Sequence, residues 1–111
     1  MILNLKDFNK WVSYNHFEMD SIHTCVQLMK TYCYMRSIDL KDAYFSIAIH
    51  KDHQNYRKFC WNNTLYQFTC VPQGLACAPR LFTKLMKPVF ASLRETGHLS
   101  SGYLDDSVMV V

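Results

Sequence analysis

Two adjacent carboxylates, Asp105 and Asp106, lie inside a segment that otherwise reads as extended chain. His98-Leu99-Ser100-Ser101-Gly102-Tyr103-Leu104 precedes them, and Val108-Met109-Val110-Val111 follows Ser107. Apolar and β-branched residues on both sides of a short polar break spell a hairpin with the aspartate pair at its tip. Neighbouring carboxylates repel one another and lose hydration when gathered, so the pair calls for a cation or a water-filled turn. Taken alone, an acidic turn is the simpler assignment, because Asp tolerates turn backbone well.

A third acid upstream shifts that balance. In Ser37-Ile38-Asp39-Leu40-Lys41, Ile38 and Leu40 alternate with polar residues, as in a half-buried strand. Asp39 then stands near the end of the strand, just before a tight Asp42-Ala43-Tyr44-Phe45 turn. A strand end beside a hairpin tip can bring Asp39, Asp105 and Asp106 together as an all-oxygen cluster, the donor set preferred by Mg²⁺. The Leu40 carbonyl could add another oxygen. Two such ions about 4 Å apart can activate an attacking oxygen and stabilise a leaving one in nucleotidyl transfer. Asp39 alone would be a residue that caps the following turn.

Between these acids lies Val71-Pro72-Gln73-Gly74-Leu75-Ala76-Cys77-Ala78-Pro79-Arg80. Pro72 suits the second position of a tight turn and Gly74 its fourth, which presents the Gln73 amide from a rigid loop. Pro79 then suits a first helical turn. Leu81, Leu85 and Val89 share a face with Phe82, Met86, Phe90 and Leu93, which predicts a helix from about Ala78 to Leu93 with these residues mostly in the core. Pro88 falls inside that pattern and predicts a kink or an early end.

Asp39-Leu40-Lys41-Asp42-Ala43-Tyr44-Phe45, Pro72-Gln73-Gly74 and Tyr103-Leu104-Asp105-Asp106 resemble three central motifs of reverse transcriptases, in the expected order. Arg57-Lys58-Phe59 and Ala78-Pro79 fit between them, and the resemblance runs from Ile2-Leu3-Asn4-Leu5-Lys6 to Val111. The Leu-Lys-Asp-Ala-Tyr wording is similar to that of long-terminal-repeat and tyrosine-recombinase retrotransposons. The resemblance implies an RNA-directed DNA polymerase fold: an α+β palm with an antiparallel sheet packed on helices, and part of the fingers inserted between Asp39 and Gln73. It implies that Asp39 and Asp105 ligate two Mg²⁺ ions, with Mn²⁺ as a possible substitute, and that Asp106 completes the acidic set. Tyr44 would lie beneath the incoming sugar and exclude a 2′-hydroxyl. Ala43, Gln73 and Gly74 would line the deoxynucleotide pocket, Asp42 would approach the triphosphate through its backbone, and Tyr103 and Leu104 would approach the primer end. The partners implied are an RNA or DNA template with primer and deoxynucleoside triphosphates.

The same resemblance implies missing parts. Basic fingertip residues would precede Met1, and the thumb and any RNase H or integrase region would follow Val111. Residues 1–111 are therefore expected to form a partial reverse transcriptase domain that polymerises poorly by itself. The alternative is an inactive retroelement remnant that binds nucleic acid or protein at most.

Length and composition agree with one domain. A chain of 111 residues, half of them hydrophobic, can bury a small core and is not globally disordered. No apolar run approaches the roughly 20 residues that span a membrane, and the start lacks a signal-peptide pattern. These features predict an intracellular protein, of cytoplasm or nucleus, with no membrane partner. Cys25, Cys33, Cys60, Cys70 and Cys77 include no close CxxC pair, which favours reduced thiols over a zinc site or disulfide framework. His50 and His53 lack a matching ligand pair and are expected in a solvated loop. The net charge of +3 is compatible with nucleic acid without demanding it. Lys51, Arg57 and Lys58 near one hairpin, and Arg80, Lys84 and Lys87 along the helix, are either a solvated face or phosphate contacts.

Along the chain, a helix is predicted over 21–30 with Ser21 as N-cap, and a strand near 34–40. Another extended stretch is expected near 46–50. Strands over 57–61 and 65–69 are joined by Asn62-Asn63-Thr64.

Overall fold

The computed structural model describes residues 3–111; Met1 and Ile2, where the resemblance begins, lie outside the described residues. Two short helices, α1 (Lys6–Asn9) and α2 (Ile22–Leu28), lead into strand β1 (Met35–Asp39). A 3-10 turn over Ala43–Ser46 and helix α3 (Lys51–Gln54) precede a hairpin of β2 (Lys58–Trp61) and β3 (Thr64–Gln67). The long helix α4 (Ala78–Glu95) then enters the hairpin of β4 (Leu99–Tyr103) and β5 (Asp106–Val110).

Local chemistry accounts for these boundaries. The Ser21 side chain accepts from the Thr24 N–H while Thr24 reaches back to the Ser21 N–H, a reciprocal cap that starts α2 where the sequence indicates. Asn62 and Asn63 both adopt positive φ, 47° and 58°, as a two-residue mirror-image hairpin turn requires. At the end of α4, His98 N–H bonds to Leu93 O and Gly97 N–H to Arg94 O, with Gly97 at φ +86°. That paired bonding is a Schellman stop, and glycine adopts its left-handed backbone without a Cβ clash.

Several expectations are corrected. The helix does not end at Pro88 but continues to Glu95. Leu85 and Val89 are about half exposed, at 49% and 46%, so the inward face of α4 is the narrower one carrying Phe82, Met86 and Phe90. The extended stretch near 46–50 shortens to one bridge between Ala48 and Cys70, held by Ile49 N–H to Thr69 O and Val71 N–H to Ile47 O. His50 caps α3 and His53 lies within it, rather than in a loop. Gln73 and Gly74 are the turn residues, one position later than expected, and Gly74 has φ +89°. Arg57 is not a free surface charge: its guanidinium lies 5.5 Å over the Phe8 ring and donates to His53 O.

The main sheet is antiparallel in the order β1-β5-β4, and β2 and β3 form a separate two-stranded ribbon. Apolar packing has two centres. Val71, Leu75 and Ala78 are buried, with Tyr44, Ile47 and Phe8 packed against them. The other centre lies where Phe82 and Phe90 of α4 meet the sheet. There Gly102 permits contact: a Cβ on it would fall 2.3 Å from Phe90 Cζ. Gly102 pairs with Ser107 and Ser107 with Ile38, so α4 covers the sheet face that carries this row. Among the described residues, no helix is long and apolar enough to cross a membrane.

Candidate functional site

Side chains alternate across a strand, so the row next to Gly102-Ser107-Ile38 points away from α4. That row is Asp39 on β1, Asp106 on β5 and Tyr103 on β4, in direct register. All three residues are exposed. Tyr34 and Val111 exchange backbone bonds of 3.3 and 3.0 Å, and Leu40 N–H donates to Asp105 O at 2.9 Å. Ladder bonding in antiparallel pairs alternates, which makes Asp39–Asp106 a non-hydrogen-bonded pair with Cα atoms about 4.5 Å apart, the closer of the two spacings. Like charges directly opposed in this way are destabilising. The described ion pairs, Lys10–Asp7 and His50–Asp52, involve none of the three acids.

Asp105 occupies the two-residue turn between β4 and β5. Leu104, the other turn residue, has φ 55°. A branched apolar side chain in left-handed backbone costs of order 1–3 kcal/mol, and such strain persists where the surroundings over-determine it. Here Leu104 lines the cavity that also contains Phe82, Phe90 and Gly102, so its side chain is drawn toward α4 while the acids stay exposed.

Tyr44 ties the upstream turn to this tip. Its ring meets Phe82 edge-on, with centroids 5.8 Å apart and planes at 75°. Burial pushes the Tyr44 phenol above its ordinary range, and the Asp105 carboxylate and the Tyr103 phenol push it further. The Tyr44 hydroxyl therefore stays neutral at physiological pH. Asp42, just before Tyr44, is exposed and left-handed at φ 53°, and Ala43 is half-buried. Gln73 and Gly74 are exposed on a loop whose neighbours Val71, Pro72 and Leu75 are buried.

The fold thus brings Asp39, Asp105, Asp106, Tyr44 and Tyr103 to one end of the sheet. Gln73 and Gly74 join them only through the apolar cluster shared by Tyr44, Val71 and Leu75. Among the described residues, no three Asp, Glu, His or Cys side chains are already gathered as a metal-holding group. The donor chemistry nonetheless suits a hard cation, since adjacent, solvent-facing carboxylates offer an all-oxygen donor set.

Sequence reasoning missed two supports. Asp20 accepts from Ser101 Oγ at 2.8 Å and from Gly102 N–H at 3.4 Å, on the side of β4 away from β5. Asn9 bonds to the Gly74–Ala76 backbone. Neither lies in the three motifs quoted above. Gly102 did carry a signal, since an isolated glycine within a strand marks a close approach.

A family model described as "Reverse transcriptase (RNA-dependent DNA polymerase)" matches residues 1–111. The chain belongs to the reverse transcriptase family. The Gag-Pro-Pol polyprotein of Human T-cell leukemia virus 2 is 31% identical over 85 residues, covering 68% of this chain and 6% of that protein. Polyprotein P3 of Commelina yellow mottle virus is 26% identical over 106 residues, covering 96% of this chain and 6% of the relative. The Pol polyprotein from transposon 412 of Drosophila melanogaster is 22% identical over 110 residues, or 99% of this chain and 9% of the relative. The chain accordingly spans less than a tenth of these polyproteins. A foamy viral protease-reverse transcriptase in complex with dsDNA superposes with TM-score 0.82 and 26% identity, covering 98% of this chain and 22% of that chain. The α+β, palm-like class expected from the sequence is the class observed.

Proposed function

We propose that this chain is the fingers and palm portion, residues 1–111, of an RNA-directed DNA polymerase that adds deoxynucleotides to a primer 3′-hydroxyl. The observation that carries the reading is the opposed Asp39–Asp106 pair beside Asp105 at the hairpin tip. Asp39, Asp105 and Asp106 would hold divalent metal, Mg²⁺ or Mn²⁺, with the Leu40 carbonyl as a further oxygen ligand. When bound, two such ions supply Lewis acidity that activates the attacking oxygen and stabilises the leaving one.

The residues of the chain do the positioning. The primer hydroxyl attacks the α-phosphate and pyrophosphate leaves, a displacement governed by alignment and charge stabilisation. Tyr103 and Leu104 would meet the primer end. The Tyr44 ring, backed by Phe82, would form a firm wall beside the sugar and disfavour a 2′-hydroxyl. Ala43, Gln73 and Gly74 would line the remainder of the deoxynucleotide pocket, and Asp42 would face the triphosphate through its backbone. Structural relatives solved with dsDNA and with an RNA/DNA hybrid support a duplex ligand for this chain as well.

The test is titration with Mg²⁺ and Mn²⁺, followed by NMR of the Asp39, Asp105 and Asp106 resonances, with primer extension on an RNA template. A saturable metal response lost in Asp39→Asn and Asp105→Asn, together with metal-dependent extension in the intact polymerase, is expected. Metal-insensitive carboxylates would remove the catalytic reading.

A further inference from the structure

Asn9 closes α1, yet its side-chain amide is bonded to backbone more than sixty residues away. Nδ2 donates to Gly74 O at 2.8 Å, and Oδ1 accepts from Ala76 N–H at 2.8 Å. A carbonyl can only accept and an N–H can only donate, so the two contacts fix which way the amide points. Both polar ends of the side chain are committed to one loop.

That loop has a specific weakness. Gly74 adopts left-handed backbone at φ +89°, and a Cβ there would meet nothing nearer than Leu3 O at 3.7 Å. Little side-chain packing restrains rotation at Gly74 from outside. Pro72 and Leu75 anchor the loop from the inside, both being buried. Asn9 supplies the restraint on the other side, and it brackets Leu75 by holding the residues on either flank. Gln73 lies exposed between the buried Pro72 and Gly74, so its direction follows the backbone that these two hold.

We propose that Asn9 is a positioning residue for the deoxynucleotide pocket: its amide clamps the Gly74–Ala76 backbone so that Gln73 is presented to the incoming nucleotide in one orientation. The assignment rests on the polymerase reading of the site. Asn9 does not touch the ligand; it acts through the loop. The ligand class is a deoxynucleoside triphosphate bound beside a template–primer end. Asn9 lies outside the three motifs quoted above, and its role follows from the two hydrogen bonds together with the positive φ of Gly74.

The experiment uses the whole chain, a self-priming template hairpin and the complementary deoxynucleoside triphosphate with Mg²⁺. Binding is read from the Gln73 side-chain and Gly74 backbone NMR signals, and Mg²⁺ binding to the chain is measured separately. Asn9→Ala should weaken deoxynucleotide binding about tenfold, the scale expected for losing two hydrogen bonds, while Mg²⁺ affinity stays unchanged. In a Gln73→Ala background, Asn9→Ala should cost little more, because both act through one contact. Additive losses, or equal weakening of Mg²⁺ and nucleotide, mean a general structural role and overturn the proposal. Should the alanine variant unfold, Asn9→Asp serves in its place, since it keeps the acceptor for Ala76 and loses the donor to Gly74. Nucleotide binding by Asn9→Asp equal to that of wild type would overturn the proposal. A wild-type chain that binds Mg²⁺ but leaves Gln73 unmoved by nucleotide removes the pocket reading and this inference with it. A variant that binds nucleotide normally in a responsive wild-type background removes this inference alone.

Discussion

Asp39 and Asp106 face each other across β1 and β5 as a non-hydrogen-bonded pair. Their backbones approach as closely as antiparallel strands allow, and no basic side chain among the described ion pairs intervenes. The opposition is a feature of register, which a change of side-chain rotamer cannot abolish.

Removing one of these charges should therefore stabilise the metal-free chain. Asp106→Asn is expected to raise Tm by about 1–5 °C in the presence of a chelator. Added Mg²⁺ should raise the Tm of the wild type and leave that of the variant almost unmoved. Thermal melts with and without metal check both. A variant less stable than the wild type without metal would mean that the pair does not repel.

Tyr44 gives the chain an alkaline sensitivity. Its phenol titrates above the ordinary value of 10.0, chiefly through burial and then through Asp105 and Tyr103. The folded state thus holds the proton more tightly than the unfolded state. This contribution is fully present below pH 10 and is lost as pH rises through the raised value. Tyr44→Phe should lose less stability than wild type between pH 9 and pH 11, as measured by denaturant unfolding. Parallel curves would show that Tyr44 is not the group responsible.

The same residue provides a separate check on substrate choice. In an active polymerase carrying this sequence, Tyr44→Ala should admit ribonucleotides by removing the wall beside the sugar. Single-nucleotide incorporation kinetics with matched ribo- and deoxynucleotides measure it. Unchanged selectivity in a folded, active variant would reject the steric role.

Gly102→Ala should destabilise by about 1–3 kcal/mol, the usual range for overpacking. Its new methyl would meet Phe90 Cζ at 2.3 Å. Phe90→Leu in the same chain should recover part of the loss, since shortening the ring removes the obstacle. Chemical denaturation of the single and double variants tests the coupling, and strict additivity would place the strain elsewhere.

Nucleic-acid binding should be salt-sensitive, with a share carried by Arg80, Lys84 and Lys87, three exposed or partly exposed residues along α4. Each phosphate contact contributes about 0.7–0.9 to the slope of log affinity against log salt. Replacing the three by alanine should flatten that slope by about 2. An unchanged slope identifies the stripe as a solvated face.

The three acids were legible because their chemistry is local: apolar strands flanking a polar tip, and an alternating strand ending in Asp39. Tyr44 was singled out through the resemblance, whereas its packing on Phe82 was not foreseen. The outcome at Pro88 shows where sequence signals weaken. A proline removes one helical hydrogen bond and crowds the preceding turn, but the inward contacts of Phe82, Met86 and Phe90 on both sides of it keep α4 continuous. Leu85 and Val89 satisfied a helical periodicity that spans more of the helix than the sheet covers. The Asn9 and Asp20 contacts were invisible because a single polar residue bonding to distant backbone leaves no periodic trace.

Asp20 has one more effect. By taking the Gly102 N–H, it occupies the rim of β4, whereas among the described residues the outer rim of β1 carries no neighbouring strand. The sheet is thus one-sided in its capacity for growth. Any strand recruited by this domain, from the same polypeptide or another, would dock beside Met35, Ser37 and Asp39, whose outward backbone groups β5 leaves free.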